Sequence, residues 1–315
     1  MTPPVVIPID PEDRPAWLAQ RRKGIGSSDV GPLLGMSPFA TPYSLWVEKT
    51  EELPEQEDTD ALRWGRRLEA VIADEFAERH PMLDLWKPNV MYAHADRPYM
   101  QANPDRLILR GDDEPDALVE IKSSNWTEDW ENGPPDHVLL QVQHQLAVMD
   151  LPRAWIALLM FGREYREWLI ERDEATIALL LDLEADFWRR VTEMDPPPVD
   201  GDEATVDALK ALYHDPDDEA VEGGDRAAAL LRHRKDLKFR GKELETELNR
   251  CENELRVIFG NRTRMLVGGE PAASWSIVNS ARVDMEKLEA EHPDLVASYR
   301  KQSSYRRLSV RKAFG

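Results

Sequence analysis

The sequence is poor in cysteine and has no long hydrophobic run. Its 315 residues include a single cysteine, Cys251, so no disulfide can form within the chain. Low cysteine usage is typical of a cytoplasmic setting, which we therefore expect. No stretch of about 18 consecutive apolar residues occurs, so we expect no membrane span. Residues 1–15 also lack the basic and apolar regions of a secretory signal.

Positive charge is scarce as well. Forty Lys and Arg residues face sixty Asp and Glu residues, which gives a formal net charge of −20. Nucleic-acid-binding proteins usually show a basic footprint, so this total weighs against DNA as a partner. Net charge reports on solubility more than on any one groove, however. Basic clusters at residues 20–24, 63–67 and 305–312 leave room for a local nucleic-acid surface.

Helical and strand patterns alternate over the first 195 residues. Residues 59–80 form a long amphipathic pattern, and strand patterns follow near 87–92, 98–102, 106–110 and 117–123. The expected apolar face of the long helix consists of Leu62, Leu68, Val71, Ile72 and Phe76. Further helices and strands continue to residue 195. This order predicts an α/β fold with a central mixed β-sheet flanked by helices.

A Pro-rich segment, residues 195–203, interrupts that pattern and predicts a domain boundary. We therefore expect one domain over 1–195 and a C-terminal appendage over 204–315. The appendage contains a heptad pattern and a hairpin signal around residues 268–270. The heptad positions are Leu230, Leu237, Leu244, Cys251 and Ile258, with Leu248 and Leu255 between them. Such a pattern predicts a coiled helix.

The strand near 117–123 carries the residues that could perform chemistry. Glu120 and Lys122 share one face of the strand because side chains alternate. Asp105 follows Pro104 and lies fifteen positions before Glu120, which matches the pattern PD…(D/E)xK. Carboxylate oxygens of Asp105 and Glu120, with the backbone carbonyl of Ile121, suit Mg²⁺, with Mn²⁺ as an alternative. Lys122 could position a water molecule or stabilise developing charge at a phosphate.

The motif alone is weak, but its neighbours add to it. The segments "GIGSSDVGPLLGMSPFATPYSLWVEKT", "RWGRRLEAVIADEF", "QANPDRLI…LVEIKSS" and "LQVQHQLAV" occur in that order. Together they resemble the phage recombination nucleases of the lambda-exonuclease/YqaJ type, within the PD-(D/E)xK superfamily. The resemblance covers about residues 14–190 and implies a restriction-endonuclease-like core.

The resemblance also implies roles for individual residues. Asp105 and Glu120 would be metal ligands, and Lys122 the catalytic lysine. Glu69 would be an outer or second-metal ligand, and Gln141 would orient the attacking water or the lysine. Arg22 and Ser28 would meet the 5′ phosphate of DNA. Taken alone, Glu69 also fits a solvated helix face, while Gln141 and Gln145 could simply bond each other.

Two further residues invite a functional reading that we do not adopt. His144 lies on a mostly apolar helix, where a histidine is more often a structural residue than a ligand. Trp64 is similarly expected in the core rather than on a base-stacking surface.

The implied function is a Mg²⁺-dependent deoxyribonuclease, a 5′→3′ exonuclease on double-stranded DNA that acts in phage-type recombination. The resemblance implies a single-strand annealing protein as partner and a ring trimer as assembly. One alternative is an endonuclease on the same core, since the motifs are shared. Another is a non-catalytic DNA-binding or scaffold protein, which the acidic composition and the coiled tail favour slightly.

Overall fold

The computed structural model describes residues 3–9, 13–52, 59–111, 114–300 and 306–311. The chain divides into two compact units, residues 1–213 and 214–315.

The first unit contains nine strands and seven α-helices among its described residues. The strands are β1 (Val5–Pro8), β2 (Ile25–Gly26), β3 (Asp84–Trp86), β4 (Val90–Ala93), β5 (Met100–Ala102), β6 (Arg106–Leu109), β7 (Pro115–Ser124), β8 (Arg153–Met160) and β9 (Glu164–Glu171). The helices are α1 (Arg14–Arg21), α2 (Val30–Leu33), α3 (Pro42–Thr50), α4 (Asp60–Arg79), α5 (Asp136–Met149), α6 (Glu174–Glu193) and α7 (Glu203–Leu212).

The main sheet is mixed and has five strands in the order β3-β6-β7-β8-β9. Strands β7 and β8 run parallel, whereas the other neighbours are antiparallel. Parallel neighbours need a long crossover connection, and helix α5 supplies it. Helix α5 therefore lies over the strand that carries Glu120 and Lys122.

Both faces of the main sheet are covered. Ile72 and Phe76 of α4 pack with Val119 and Ile121 of β7 on one face. On the other face the buried cluster includes Leu118, Ile156, Leu158, Val142 and Leu146. Burial on both faces explains the near-continuous apolar character of β8. The α/β class with a mixed sheet between helices, predicted from the sequence, is confirmed.

Only the part of α4 from Leu68 onward contributes to this packing. Ile72 and Phe76 are buried as predicted, but Leu62 and Val71 are 56% and 58% exposed. Trp64 is also more than half exposed, so its expected place in the core is wrong. Periodicity identified the helix correctly, but it could not show that the sheet covers only the part from Leu68 onward.

The strands predicted near 87–92 and 98–102 belong to a second sheet. This sheet has four strands in the order β1-β4-β5-β2. Ile25 and Gly26 of β2 run parallel to Met100 and Gln101 of β5. Just before β2, a Cβ at Gly24 would lie 2.3 Å from the Tyr99 carbonyl oxygen. Glycine is therefore required for this close approach of two backbone segments.

Helices α3, α6 and α7 share a separate buried cluster. It contains Val47, Phe187, Val191 and Ala208, and the Thr41 and Thr205 hydroxyls form a buried hydrogen bond of 2.7 Å. Because α7 packs here, the first compact unit extends to Tyr213, past the Pro-rich segment at which the sequence predicts a boundary.

The second unit begins with the 36-residue helix α8 (Gly224–Phe259). An antiparallel hairpin follows, β10 (Arg264–Val267) and β11 (Glu270–Ser274), at the place where the sequence predicts one. Gly268 and Gly269 have φ values of +61° and +92°, which the tight turn requires. Two short helices, α9 (Met285–Glu291) and α10 (Pro293–Tyr299), complete the unit. None of the helices in the described ranges is long and apolar enough to cross a membrane.

Candidate active site

Strand pairing brings Asp105, Glu120 and Lys122 together. Asp105 directly precedes β6, and Arg106 pairs with Val119 in the antiparallel ladder of β6 and β7. The Ile121 N–H donates a hydrogen bond to Asp105 Oδ2 over 2.7 Å. The adjacent Glu120 and Lys122 side chains form an ion pair of 2.7 Å between Glu120 Oε1 and Lys122 Nζ. Glu120 is buried, so this charged cluster is built into the edge of the core.

Gln141 of the crossover helix connects the two charged residues of β7. Its Nε2 donates to Glu120 Oε1 over 2.6 Å, while its Oε1 accepts from Lys122 Nζ over 3.0 Å. The amide thus orients both side chains at once. Gln141 therefore lies beside Glu120 and Lys122, where the resemblance implied it would act.

Gln145, one helical turn after Gln141, also contacts the site. Its Nε2 donates to Glu120 Oε2 over 2.8 Å and lies 3.4 Å from Ser27 Oγ. Gln145 Oε1 is buried and has no hydrogen-bond partner among the described residues. The sequence predicts Gln145 only as a partner of Gln141. The i, i+4 spacing already placed both amides on one helix face and could have indicated this role.

The electrostatics of the cluster favour a cation. Burial and the charge of Glu120 raise the pKa of Asp105 well above its usual value, although the Ile121 N–H and Lys122 oppose this. Burial acts to lower the pKa of Lys122, but the charge and hydrogen bond of Glu120 outweigh it and raise the pKa. Lys122 therefore remains charged. Its charge is nevertheless too small to offset the effects of burial and of Glu120 on Asp105. A bound cation would relieve this.

Glu69 of α4 lies close by but is held by two basic side chains. Its Oε1 accepts from Arg106 Nη1 over 2.6 Å and from Lys87 Nζ over 3.1 Å. Glu69 and Asp105 nevertheless line the same cavity of about 690 Å³. Arg106 is buried and was not singled out in the sequence. Its position directly after the Pro104-Asp105 pair was the available signal.

The donor set fits a hard cation that keeps part of its hydration. No group of three or more His, Cys, Asp or Glu side chains within the described ranges is arranged to hold a metal ion. Mg²⁺ is commonly bound through one or two carboxylates together with water molecules. The Asp105 and Glu120 carboxylates match that need, whereas zinc prefers sites rich in nitrogen and sulfur.

A second cavity, of about 170 Å³, connects these carboxylates with the start of the chain. Its lining includes Arg21, Ser28, Asp105, Glu120 and Gln141. Asp105 also lines the larger cavity, so it lies where the two meet. The predicted metal site and the predicted serine of the phosphate site thus border one space.

The arginine at this space is Arg21 rather than the predicted Arg22. Arg21 Nη2 lies 3.3 Å from Ser28 Oγ and 2.7 Å from Asp29 Oδ1. Arg22 instead forms a 3.8 Å ion pair with Glu52. The structure therefore brings Ser28 to the cavity and places Arg22 elsewhere.

Asp29 holds the segment around Arg21 and Ser28 in place. Its Oδ2 accepts from the buried Lys49 Nζ over 2.6 Å and from the Gly26 N–H over 2.9 Å. Burial opposes its ionisation, but Lys49 and then Arg21 lower the pKa of Asp29 to about 2. Asp29 is thus ionised at all ordinary pH values and fixes the orientation of Arg21.

His144 is a structural residue, as we expected. Its Nδ1 lies 2.8 Å from Glu184 Oε1, and its Nε2 lies 2.9 Å from the Gln101 carbonyl oxygen. Both side chains are fully buried. This pair joins α5, α6 and β5 behind the site.

Comparison with known proteins agrees with the motifs. Residues 16–152 match the family model described as a YqaJ-like viral recombinase domain. The uncharacterized protein YqaJ of Bacillus subtilis (strain 168) is 29% identical over 307 residues, which cover 95% of this chain and 94% of that protein.

Among solved structures, the alkaline exonuclease LHK-Exo of Laribacter hongkongensis is 19% identical with a TM-score of 0.48, and the match covers 57% of this chain and 93% of that one. A phage-related exonuclease of Haemophilus somnus 129PT is 13% identical with a TM-score of 0.40, over 55% of this chain and 96% of that one. The family model that matches residues 16–152 is the one that the sequence motifs resemble.

Proposed function

We propose that this protein is a metal-dependent nuclease that shortens double-stranded DNA from a 5′ end. The grouping of Asp105, just before β6, with Glu120 and Lys122 of the paired strand β7 carries the proposal. A structural ion pair would need only one carboxylate beside Lys122. Here a second carboxylate, that of Asp105, lies next to this ion pair. Burial and the charge of Glu120 raise the pKa of Asp105.

The ligands for Mg²⁺, with Mn²⁺ as the alternative, would be the Asp105 and Glu120 carboxylates and the Ile121 carbonyl. When bound, the ion would supply Lewis acidity at the phosphate and a water of lowered pKa. Glu69 would be an outer ligand. Both of its ion pairs use Oε1, which leaves Oε2 to accept a hydrogen bond from a water molecule.

The remaining side chains act on the water and on the developing charge. Lys122 Nζ, held by Glu120 and Gln141, can donate to the attacking water or to a phosphate oxygen. Gln141 fixes that amine and the Glu120 carboxylate in one orientation. Because both partners are already positioned, little reorganisation is needed during reaction.

Recognition of a DNA end would fall to the smaller cavity. Arg21 presents a planar fork suited to phosphate, and Ser28 adds a hydroxyl donor. We therefore assign the 5′ phosphate to Arg21 and Ser28 and give Arg22 an outer, electrostatic role. A terminal phosphomonoester carries more charge than an internal diester and gains more from these groups.

Two wider parts of the proposal rest on the family. Single strands left by such an enzyme would pass to a single-strand annealing protein during phage-type recombination. The first unit would assemble as a ring trimer by resemblance. Two alternative functions remain. One is an endonuclease on the same core, and the other is a non-catalytic DNA-binding or scaffold role.

The deciding experiment uses end-labelled linear duplex and closed circular DNA, each with Mg²⁺ or EDTA. We expect loss of linear duplex with Mg²⁺, faster with a 5′ phosphate than with a 5′ hydroxyl, and no cutting of circles. The variant Arg21→Lys keeps the charge but loses the fork, so it should reduce the preference for 5′ phosphate. Arg22→Lys is the matched control.

The other outcomes identify the alternatives. Efficient cutting of closed circles would support the endonuclease. Binding of DNA without cleavage under either metal would support the non-catalytic role.

A further inference from the structure

We propose that helix α8 pairs with the α8 helix of a second copy of this chain as an antiparallel coiled coil. This inference concerns the second unit and does not rest on the proposed nuclease activity. Three observations carry it, namely the exposed seam, the residues that would meet in each layer and the charges beside the seam.

The apolar seam of α8 is exposed along its whole length. Leu230, Leu237, Leu244, Leu248 and Leu255 are between 42% and 66% exposed. With Leu230 assigned to heptad position d, position d also contains Leu237, Leu244, Cys251 and Ile258. Position a then contains Ala227, Arg234, Gly241, Leu248 and Leu255. Seams of this kind pack against a partner helix by inserting each side chain between four of its residues.

The distribution of side-chain size favours an antiparallel partner. A parallel pair would place Arg234 against Arg234 and Gly241 against Gly241, which combines charge repulsion with a poorly filled layer. An antiparallel pair centred between Lys242 and Glu243 puts each small or polar residue opposite a larger apolar one or a cysteine. Its layers are Ala227–Ile258, Leu230–Leu255, Arg234–Cys251, Leu237–Leu248 and Gly241–Leu244.

The charges flanking the seam favour the same arrangement. Residues 224–242 contain seven Lys or Arg and two Asp, whereas residues 243–259 contain five Glu and two Arg. In the antiparallel pair, Arg240 meets Glu247 and Lys238 meets Glu245, each twice by symmetry. In a parallel pair, Glu247 would meet Glu252. Flanking charges of this kind set partner choice and orientation in coiled coils.

The native cysteine distinguishes the two directions. In a parallel pair Cys251 faces Cys251. In the antiparallel pair it faces Arg234, and the two Cys251 residues lie 17 positions apart, about 25 Å along the axis. A disulfide needs Cα atoms within about 7 Å. The full-length variant Arg234→Cys should therefore form a covalent dimer with oxidised glutathione, whereas the wild-type chain should not.

Arg232→Cys is the matched control, because residue 232 lies on the outer face of the same helix. Cross-linking of Arg234→Cys should be about tenfold faster or more, since thiols held opposite each other react at millimolar effective concentration. In parallel, light scattering should show that Leu237→Lys halves the mass of the full-length assembly. Thr246→Lys, on the outer face, should leave that mass unchanged.

Either of two results would overturn the proposal. Rapid cross-linking of the wild-type chain through Cys251 would show a parallel pair. Equal, slow cross-linking of the two cysteine variants, with no change of mass for Leu237→Lys, would show that α8 does not bind a second copy.

Discussion

The Ile121 N–H donates a hydrogen bond to Asp105 Oδ2, with 2.7 Å between the two atoms. This bond joins the residue before β6 to the middle of β7. It fixes the Asp105 carboxylate beside Glu120, although both carboxylates would be more stable apart without a cation between them. The site is therefore assembled by backbone geometry, and its electrostatic cost leads to the first prediction.

Asp105→Asn should raise the melting temperature in EDTA while abolishing DNA cleavage. The amide keeps an acceptor for the Ile121 N–H and removes a charge that burial and Glu120 disfavour. A gain of about 1 kcal/mol corresponds to about 2–4 °C for a unit of this size. Mg²⁺ should stabilise the wild-type protein but not the variant, as measured by thermal denaturation.

Asp116→Asn, on strand β7, is the matched control for that experiment. Hydrogen bonds from Arg153 and then Arg110 lower the pKa of Asp116, so its charge is favourable in the folded state. This variant should lower the melting temperature and retain Mg²⁺ stabilisation. A decrease for Asp105→Asn as well would contradict the proposed strain between Asp105 and Glu120.

Lys122→Ala should leave the fold intact and reduce DNA cleavage by about 10²–10³-fold, the usual cost of removing a charge-stabilising group from a prepared site. Gln141 and Gln145 still hold Glu120 in this variant. Single-turnover cleavage of linear duplex measures the effect, with Lys210→Ala as the control because Lys210 pairs only with its helix neighbour Asp207 among the described residues. Activity within tenfold of wild type would remove Lys122 from the mechanism.

Glu120 and Lys122 could be placed relative to each other from the sequence because strand alternation is a local property. Glu120 and Lys122 had to share a face of any strand. The choice between Arg21 and Arg22 was different. Each residue along a helix turns the side-chain direction by about 100°, so a run of basic residues does not reveal which one faces the site. The N-terminal helix ends at Arg21, and only tertiary contacts select it.

Sheet membership was also outside the reach of the sequence. Residues 90–93 and 100–102 have ordinary strand patterns, and nothing local shows that they pair with β1 and β2 rather than with β6. The sequence also did not predict that helix α7 belongs to the first unit, for a related reason. The Pro-rich segment before it is typical of a boundary. Ala208 nevertheless packs in the buried cluster of α3 and α6, and Thr205 forms a hydrogen bond with Thr41.

A chain that ends after Tyr213 should fold and keep nuclease activity, whereas one that ends at Asp200 should be markedly less stable. The shorter chain loses α7, exposes part of the cluster around Val47 and Phe187, and leaves the Thr41 hydroxyl without Thr205. Urea denaturation and cleavage of linear DNA compare the two. Equal stability of both truncated chains would restore the boundary at the Pro-rich segment.

The buried pair of His144 and Glu184 should make stability depend on pH. Burial acts to lower the pKa of His144, but Glu184 and the Gln101 carbonyl raise it above the ordinary value of 6.5. Its contribution is complete below about pH 6.5 and is lost as the pH rises through the raised pKa. The nearby Asp29 stays ionised throughout. Burial lowers the pKa of the neighbouring His94, which makes stability rise with pH only below about pH 6.5, so neither residue reverses the trend above that pH.

His144→Gln should therefore show a smaller loss of unfolding free energy than wild type above pH 6.5. His144→Ala should cost about 3–5 kcal/mol, because it leaves Glu184 buried without its cation. His214→Gln, at an exposed position, should follow the wild-type curve. Identical curves for His144→Gln and wild type would show that the pair is not charged.

The cluster that joins Ile25 and Val47 to Phe187 and Ala208 has a consequence for synthesis of the chain. A ribosome delivers the N-terminus first, so the segment around Ser28 emerges early but lacks its packing partners. The strands that carry Asp105 and Glu120 follow, and α6 and α7 come last. The side of the smaller cavity that Arg21 and Ser28 line thus becomes rigid only after about two thirds of the chain has been made. If the proposed function holds, a nascent protein would be unable to bind DNA ends until α6 and α7 have packed.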